Sequence, residues 1–296
     1  MPELPEVQTI VDDLNRKIAG RLIIDVWSDY PKAVKKPLFK HFKKIIKNKK
    51  ILSVKRRAKN LFFYLSDDFL MAIHLKMTGH LLVGKWEVNK LKNKEIIIPL
   101  EPKDAVIDSY NQYIHFIFYL DDGRMVGFSD ARKFGKIILG KKEQIENLPE
   151  FKNLGPEPLD KSFTVEKLKE SLRQAQGKKI KQVLMDPEVI AGIGNIYSDE
   201  ILWLAKINPF KPANKLSEGE LRKLWKATRK ILIKALKLRG TSISDYRDTS
   251  GKRGGYDKVR LVYRREKEKC FRCGVKIKRA KIGGRSAHFC PHCQKL

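Results

Sequence analysis

The sequence contains no apolar run long enough to span a membrane, and its first residues do not follow the pattern of a secretory signal peptide. Cysteine is absent until the last 27 residues, where all four cysteines occur. Acidic residues are few, with 34 Asp and Glu against 63 Lys and Arg, which gives a formal net charge of +29. These features argue against a transmembrane or a disulfide-stabilised secreted protein. They predict a cytoplasmic protein that binds a polyanion, rather than a membrane-surface protein, because the charge is spread over the whole chain.

Short β-rich segments dominate residues 21–140, after one N-terminal helix. The segments predicted to be strands are Leu22–Trp27, Ile51–Arg56, Leu61–Leu65, Leu70–Leu75, His115–Leu120, Arg124–Phe128 and Lys136–Leu139. Strands at this spacing predict a β-sandwich or a barrel. One helix interrupts them, with Leu38, Phe42, Ile45 and Ile46 predicted on its apolar face. Residues 85–112 fit no pattern and are expected to form an insertion or a loop.

Helical patterns replace strand patterns after about residue 140 and continue to Leu238. Asp186 and Asn195 are predicted helix N-caps, and Ser217 with Glu220 forms a predicted capping box. Residues 241–258 are rich in Gly, Ser, Asp, Arg and Lys, which predicts a mobile loop. Residues 259–263 predict a short strand.

The cysteines form two Cys-x2-Cys pairs, Cys270 with Cys273 and Cys290 with Cys293, separated by sixteen residues. This spacing is typical of a structural Zn²⁺ site, in which four thiolates leave no open position for catalysis. His288 and His292 are the alternative ligands. The segment between the pairs has no acid and carries Lys276, Lys278, Arg279, Lys281 and Arg285. A hairpin turning at 283–284 would present these residues as a basic finger, and a solvated charged ribbon is the alternative.

The N-terminus begins Met1-Pro2-Glu3-Leu4-Pro5-Glu6. We expect Met1 to be removed, because the residue that follows it is small, and this leaves a proline with a secondary amine. Such an amine can attack an electrophilic carbon and form an iminium ion, and its pKa lies far below that of a lysine side chain. Carboxylates beside it are the expected general acid and base. The alternative is an ordinary helix start, with Pro5 at the first position and Glu6 near the positive end of the dipole.

Several further motifs occur in an order that resembles one family. They are the N-terminal Pro-Glu-Leu-Pro-Glu-Val, Arg56-Arg57-Ala58-Lys59, His74-Leu75-Lys76-Met77-Thr78-Gly79, Arg132-Lys133-Phe134-Gly135, Leu154-Gly155-Pro156-Glu157-Pro158, Gly192-Ile193-Gly194-Asn195-Ile196-Tyr197 and the four-cysteine segment. Together they resemble the formamidopyrimidine-DNA glycosylases over nearly the whole chain. The resemblance implies an α+β multidomain fold with an N-terminal β-sandwich flanked by helices, a helix–two-turn–helix domain and a C-terminal zinc-finger β-hairpin. The expected boundaries are 1–139 for the catalytic β-sandwich domain, 140–160 for a linker, 161–258 for the DNA-binding domain with its lesion-capping loop, and 259–296 for the finger.

The resemblance implies a base-excision-repair enzyme that removes oxidised purines, including 8-oxoguanine and formamidopyrimidines, and then cleaves the strand as an AP lyase. Pro2 would attack C1′ of the damaged nucleotide, Glu3 would protonate the sugar ring oxygen, and Glu6 would orient the nucleophile. Lys59 would contact phosphate and assist proton transfer, and Arg285 would grip the phosphates around the lesion. Elimination on both sides would leave 3′- and 5′-phosphates. One structural zinc ion, double-stranded damaged DNA as partner and a monomeric, nucleoid-associated protein are expected.

The resemblance also implies a set of DNA contacts: His74, Met77, Tyr113, Arg132, Phe134, Lys178 and Asn195. Because the damaged base must leave the stack, three of them would fill the gap. Met77 would occupy it, Arg132 would pair with the orphaned cytosine, and Phe134 would wedge the step. Asn195 would contact phosphate at the helix–two-turn–helix corner. Tyr113 departs from the family, since a histidine is usual at its position.

Two other functions are weighed against this one. An endonuclease VIII-type enzyme for oxidised pyrimidines would share the N-terminal Pro-Glu, but it usually has glycine where this chain has Leu4 and lacks the Arg132 and Phe134 type of gap filling. A zinc-bearing DNA-binding protein without activity would keep the phosphate contacts. Only the Pro2 amine, Glu3 and Lys59 argue against it.

Overall fold

The structure, a computed structural model, describes residues 1–91, 94–101, 109–173, 175 and 177–296. The chain divides into two compact units. The first unit comprises Met1–Lys152 and Arg239–Gly255, and the second comprises Asn153–Leu238 and Tyr256–Leu296. Within the described ranges, no helix is both long enough and apolar enough to cross a bilayer.

The first unit contains ten strands and four helices among its described residues. The strands are β1 (Leu22–Ser28), β2 (Val34–Lys36), β3 (Lys49–Arg57), β4 (Asn60–Leu65), β5 (Phe69–His74), β6 (Gly79–Leu91), β7 (Lys94–Glu101), β8 (Ile114–Leu120), β9 (Met125–Asp130) and β10 (Lys136–Lys141). The helices are α1 (Leu4–Ile18), α2 (Phe39–Ile46), α3 (Lys142–Glu146) and α4 (Pro149–Lys152). All seven predicted strands and the first two predicted helices are confirmed.

The strands follow the order β2-β10-β5-β4-β3-β1-β8-β9-β6-β7, and among these described strands only the β2–β10 pair is parallel. The ladder between β1 and β3 has just two residue pairs, Leu22 with Lys50 and Ile23 with Lys49. Strands on both sides of this short ladder contribute to one core, as Phe63 of β4 and Phe118 of β8 illustrate. The predicted β-sandwich is therefore present, with its two layers joined at one edge.

Helix α1 closes this core because its apolar residues recur at helical spacing. Val7, Ile10, Leu14 and Ile18 are fully buried within the cluster. The helix begins directly after Glu3, so this packing fixes the N-terminal residues against the sandwich.

Two predictions for the first unit are wrong. Strands β6 and β7 pair antiparallel within the stretch predicted to be an insertion or a loop; residues 92–93 and 102–108 of that stretch lie outside the described residues. Trp86 packs into a second apolar cluster with Leu82 and Ile114, so long-range packing sets a strand in a stretch whose charges hide the alternation. Leu38 precedes α2 and is 77% exposed, because the helix begins one residue later, at Phe39.

The second unit has four helices and one hairpin among its described residues. They are α5 (Val165–Arg173), α6 (Ile180–Leu184), α7 (Asn195–Ala205), α8 (Glu218–Lys237), β11 (Lys278–Ile282) and β12 (Arg285–Phe289). The Ser217–Glu220 capping box at the start of α8 and the hairpin turn at 283–284 are confirmed. Both turn glycines have positive φ, which suits the tight connection.

Three predictions for the second unit are wrong. Asp186 precedes a turn and not a helix. Gly194, and not Asn195, occupies the N-cap of α7. Residues 256–259 form a 3-10 turn, and no strand follows at 259–263. The reason is specific: the amides of Leu261, Val262 and Tyr263 donate to the buried Glu200 carboxylate at 2.8–2.9 Å, which replaces the ladder that a strand would need.

Candidate active site and nucleic-acid interface

Two buried carboxylates lie at the start of α1. Glu3 is 2% exposed and Glu6 is 1% exposed. Glu6 Oε2 accepts a hydrogen bond of 2.8 Å from the Glu3 amide, and Glu6 Oε1 accepts one of 2.8 Å from the Thr241 amide. Glu6 therefore holds the backbone next to Pro2 and also the beginning of the 239–255 segment.

The α-amino group of Met1 lies within electrostatic range of these carboxylates. Burial lowers the pKa of this amine, the two carboxylates and Asp245 act to raise it, and Lys59 lowers it. A lowered pKa increases the fraction of neutral amine, which is the nucleophilic form, at pH 7. Removal of Met1 would move the amine to Pro2, which is itself buried.

Lys59 lies in the tight turn between β3 and β4, where Ala58 adopts a left-handed backbone with φ of 53°. Arg56 connects this turn to α1: its Nη1 donates to the Ala58 carbonyl at 3.0 Å, and its Nε donates to Gln8 Oε1 at 3.0 Å. These contacts explain why a lysine far from the N-terminus in sequence is close enough to influence the terminal amine.

The predicted gap-filling residues occupy two neighbouring loops of the first unit. Met77 and Phe134 are exposed, and the guanidinium carbon of Arg132 lies 4.6 Å from the centroid of the Phe134 ring. The buried Asp130 joins the loops, because its Oδ1 accepts from the Thr78 hydroxyl and its Oδ2 accepts from the Gly135 amide at 2.7 Å. An aromatic ring, an arginine and a methionine are thus held at the surface by one carboxylate.

Tyr113 precedes β8 and is 39% exposed. Its carbonyl accepts a hydrogen bond of 2.8 Å from the Asp130 amide. The Tyr113 backbone is therefore tied to the residue that supports the Arg132 loop, and its ring reaches solvent.

His74 ends β5, and its Nδ1 accepts a hydrogen bond of 2.9 Å from the Lys76 amide. Burial, with Lys76, Lys59 and Lys136 nearby, lowers the pKa of His74 from 6.5 to about 3. The folded imidazole is therefore neutral, and its proton is on Nε2, which can donate to a phosphate oxygen.

The His74 pKa predicts a pH dependence of stability. Between pH 6.5 and 3 the unfolded chain binds a proton that the folded chain does not, so the free energy of unfolding should fall as the pH falls. The slope from this residue is at most about 1.4 kcal/mol per pH unit. The measurement is denaturant unfolding from pH 7 to 4 in the wild type and in His74→Asn, which retains an acceptor for the Lys76 amide. The variant should lose stability less steeply on acidification, and equal slopes would contradict the prediction.

Two predicted DNA contacts belong to the helical part of the second unit. Lys178 is exposed in the turn before α6. Asn195 is the first residue of α7, and its Nδ2 lies 3.5 Å from the Tyr263 hydroxyl. A helix N-terminus presents backbone amides that favour an anion, so this corner has the chemistry expected of a phosphate contact.

The finger packs on α7 through a buried ionic network. Asp199 Oδ1 lies 2.5 Å from Lys181 Nζ, and Asp199 Oδ2 lies 2.9 Å from both the amide and Nδ1 of His288. The strand β12 is therefore fixed to α7, while Arg285 at its first position remains exposed beside the hairpin turn.

The four cysteine sulfurs lie within 4.8 Å of one another. A tetrahedral Zn²⁺ with bonds of about 2.3 Å requires sulfurs roughly 3.8 Å apart, so the site fits zinc. Amides donate to the ligand sulfurs, including Arg272 to Cys270 at 3.5 Å and Cys293 to Cys290 at 3.4 Å. Such donors stabilise thiolates. His288 is hydrogen-bonded to Asp199 through Nδ1, and the four sulfurs alone form the cluster. The four cysteines are therefore the ligands, and His288 is not.

Comparisons with known proteins agree with this geometry. Models described as the formamidopyrimidine-DNA glycosylase N-terminal domain, its H2TH domain and a zinc finger found in FPG and IleRS match residues 1–137, 154–247 and 267–296, respectively. The formamidopyrimidine-DNA glycosylases of Pelotomaculum thermopropionicum and Carboxydothermus hydrogenoformans are each 40% identical to this chain, with full coverage of both sequences. The chain belongs to the formamidopyrimidine-DNA glycosylase family. The zinc-finger match and the cysteine cluster assign one structural Zn²⁺ to the finger.

Solved structures of this glycosylase family have the same fold. A complex of the Lactococcus lactis enzyme with DNA containing an abasic site is 35% identical, covers 99% of this chain and all of that chain, and has a TM-score of 0.85. A complex of the same enzyme with DNA containing an oxidised pyrimidine is 36% identical over the whole of both chains, with a TM-score of 0.84.

Sequence reasoning missed the supporting residues of this glycosylase family member. Asp130 joins the gap-filling loops, Thr241 contacts Glu6, and Asp199 and Glu200 position the finger and the 256–263 segment. The two adjacent acids in the largely apolar helix α7 are the available signal, because buried carboxylates require partners. The Thr241 contact uses only a backbone amide and leaves no such signal.

Proposed function

We propose that this chain is a DNA glycosylase and AP lyase of base excision repair that acts on oxidised purines. The observation that carries the proposal is the arrangement at the start of α1, where the terminal amine lies within electrostatic range of two buried carboxylates and Lys59. Family membership supports the same chemistry. The partner is double-stranded damaged DNA, for which the net charge of +29 provides electrostatic attraction.

In this proposal the reaction starts when the Pro2 nitrogen attacks C1′ of the damaged nucleotide. A bond forms between nitrogen and C1′, and the bond from C1′ to the base breaks, with the electron pair leaving on the base; the nitrogen loses its N–H proton, which balances the charge of the departing base. Glu3 donates a proton to the sugar ring oxygen, so the ring opens and the nitrogen becomes an iminium ion. Glu6 orients the Glu3 backbone through its hydrogen bond.

The iminium ion makes the C2′ proton acidic, which allows the strand to be cut. Loss of that proton expels the 3′-side phosphate by β-elimination, and a second proton loss expels the 5′-side phosphate by δ-elimination. Hydrolysis of the remaining adduct regenerates the amine. We assign phosphate binding and proton transfer to Lys59, and phosphate binding during δ-elimination to Arg285.

We assign the space left by the extruded base to Met77, Arg132 and Phe134. The stacked Arg132 and Phe134 side chains support this assignment, because a planar guanidinium can pair with cytosine while the ring wedges the step. The remaining DNA contacts are proposed for four residues: His74, Tyr113, Lys178 and Asn195. His74 can donate a hydrogen bond from Nε2 to a phosphate oxygen, because its Nδ1 accepts from the Lys76 amide.

Oxidised purines are proposed as the preferred substrates on the strength of family membership and the Arg132–Phe134 pair. Because a relative has been solved in complex with DNA that contains an oxidised pyrimidine, an oxidised pyrimidine is the substrate against which activity on oxidised purines should be compared. We further propose that the protein acts as a monomer in the cytoplasm, in association with the nucleoid, and that the boundaries 1–139, 161–258 and 259–296 separate its functional domains.

Borohydride trapping tests the proposed function. The protein is incubated with duplexes that carry 8-oxoguanine opposite cytosine, an oxidised pyrimidine, or no lesion, and the reduced adduct is mapped by mass spectrometry. We expect a covalent adduct on Pro2 with 8-oxoguanine and none with undamaged DNA. An adduct formed only with the pyrimidine would assign the endonuclease VIII-type activity, and tight binding without any adduct would assign a DNA-binding protein without catalysis.

A further inference from the structure

Arg239 has an unusual backbone conformation for its residue type. It follows α8 with φ of 59°, and Gly240 after it has φ of 79°. The left-handed region is unfavourable for residues with a Cβ atom, and glycine adopts it readily. The contacts of the Arg239 side chain offset part of this cost.

The guanidinium of Arg239 bridges two buried carboxylates of the first unit. Its Nη2 lies 2.5 Å from Asp13 Oδ2 in α1 and 2.7 Å from Asp248 Oδ2. The side chains of Asp13 and Asp248 are only 5% and 7% exposed. Oδ1 of Asp248 accepts from the amides of Ser250 and Lys252, both at 2.9 Å, so the carboxylate also organises the turn that contains it.

Other contacts reinforce the link between α1 and this segment. Lys17 Nζ donates to the hydroxyls of Thr249 at 2.9 Å and Ser250 at 2.7 Å, and the Thr249 hydroxyl donates to Asp13 Oδ2 at 3.1 Å. Burial alone would raise the pKa of Asp13, but the hydrogen bond and charge of Arg239 lower it. The carboxylate is therefore ionised and paired at neutral pH.

The bridge from Arg239 to Asp13 and Asp248, called the clamp below, is adjacent to the site around the terminal amine. Gly240 is so close to Glu6 that a Cβ atom at this position would lie 2.7 Å from Glu6 Oε1. The next amide, of Thr241, donates to the same oxygen, and the other oxygen of Glu6 accepts from the Glu3 amide. A shift of the segment at 239 would therefore move the group that holds the backbone beside Pro2.

We propose that Arg239 is a positioning residue that clamps the 239–255 segment to α1 and so holds Gly240 and Thr241 against Glu6, beside the N-terminal amine. The proposal rests on the proposed function, in which that amine is the nucleophile. The planar guanidinium of Arg239 contacts Asp13 of α1 and Asp248 of the 248–252 turn at the same time, and a glycine at this position has no side chain to do so.

Three variants separate positioning from simple stabilisation. Arg239→Gly removes the clamp, and because glycine adopts a positive φ readily, the substitution itself should not strain the backbone. Arg239→Lys is the matched control, which keeps the charge but loses the fork. Asp248→Asn keeps Oδ1 as the acceptor of the turn and removes the charged partner of Arg239. The measurement is single-turnover borohydride trapping on 8-oxoguanine DNA, which yields both a rate and a final amplitude, together with the Kd for DNA.

We expect Arg239→Gly to slow trapping between about tenfold and 100-fold while the amplitude and Kd stay at wild-type values, because a displaced nucleophile reacts slowly without being absent. Arg239→Lys should recover part of the rate. The double variant Arg239→Gly with Asp248→Asn should be no slower than Arg239→Gly, since both substitutions break the same Arg239–Asp248 contact. An unchanged rate, or a loss of amplitude at an unchanged rate, would overturn the proposal, since the second result means only that part of the protein is unfolded.

Hydrogen exchange of the 239–255 segment supplies a readout that does not depend on catalysis. Amides of this segment, including that of Thr241, should exchange faster in Arg239→Gly than in the wild type or Arg239→Lys. Wild-type protein that forms no adduct would refute the proposed function, and the exchange data would still decide whether the clamp exists. Unchanged exchange would refute the clamp even if the wild type is active.

Discussion

Blocking the N-terminal amine is expected to lower the rate of strand cleavage by at least about 10³-fold, because the proposed covalent intermediate cannot form without the nucleophile. The change is an added N-terminal residue that prevents exposure of Pro2. DNA affinity should remain close to that of the unblocked protein, since the loops with Met77, Arg132 and Phe134 are not altered. Cleavage of lesion-containing duplex and the Kd for the same duplex are measured together.

The control uses the same molecules before and after the block is removed. A protease site placed directly before Pro2 allows the extension to be cut away, and activity should return in proportion to the fraction of chains that begin with proline. A blocked protein that cleaves at the wild-type rate would show that another group, such as Lys59, is the nucleophile. Failure to regain activity after correct processing would point instead to misfolding of the blocked chain.

Loss of a zinc ligand is the second change with a large expected effect. Structural Zn²⁺ contributes about 10–16 kcal/mol of folding free energy in zinc-finger peptides, and β11 and β12 are the only strands of the described finger. Cys290→Ser should therefore release the ion and unfold β11 and β12. Loss of the charged hydrogen bonds assigned to Arg285 should weaken DNA binding by roughly 10- to 100-fold. Bound zinc is measured by elemental analysis and the Kd by titration of lesion-containing duplex.

His292→Ala is the matched control for the zinc prediction. His292 stands between Cys290 and Cys293 and is one of the two alternative ligands, with His288, yet the four sulfurs alone lie close enough to fill the coordination shell. The variant should retain one zinc per chain and nearly wild-type affinity. Zinc loss from His292→Ala, or full DNA affinity in zinc-depleted Cys290→Ser, would contradict the assigned role of the finger.

The sequence alone was sufficient where local spacing determines the structure. The two Cys-x2-Cys pairs predicted the sulfur cluster, the glycine pair at 283–284 predicted the hairpin turn, and Ser217 with Glu220 predicted the start of α8. The amine, Glu3 and Glu6 were recognised as one chemical group because they are neighbours along the chain. In each case a few adjacent residues contain the whole physical cause.

Tertiary structure decided the features that depend on contacts between distant residues. Strand β6 forms where Trp86 packs in one apolar cluster with Ile114. Residues 261–263 do not form a strand because their amides donate to the Glu200 carboxylate. The approach of Lys59 to the terminal amine depends on how the β3–β4 turn meets α1, which no short pattern encodes. The left-handed Arg239 is the clearest example. The sequence alone does not predict a left-handed backbone at an arginine, and only the folded chain brings together the two buried carboxylates that its side chain contacts.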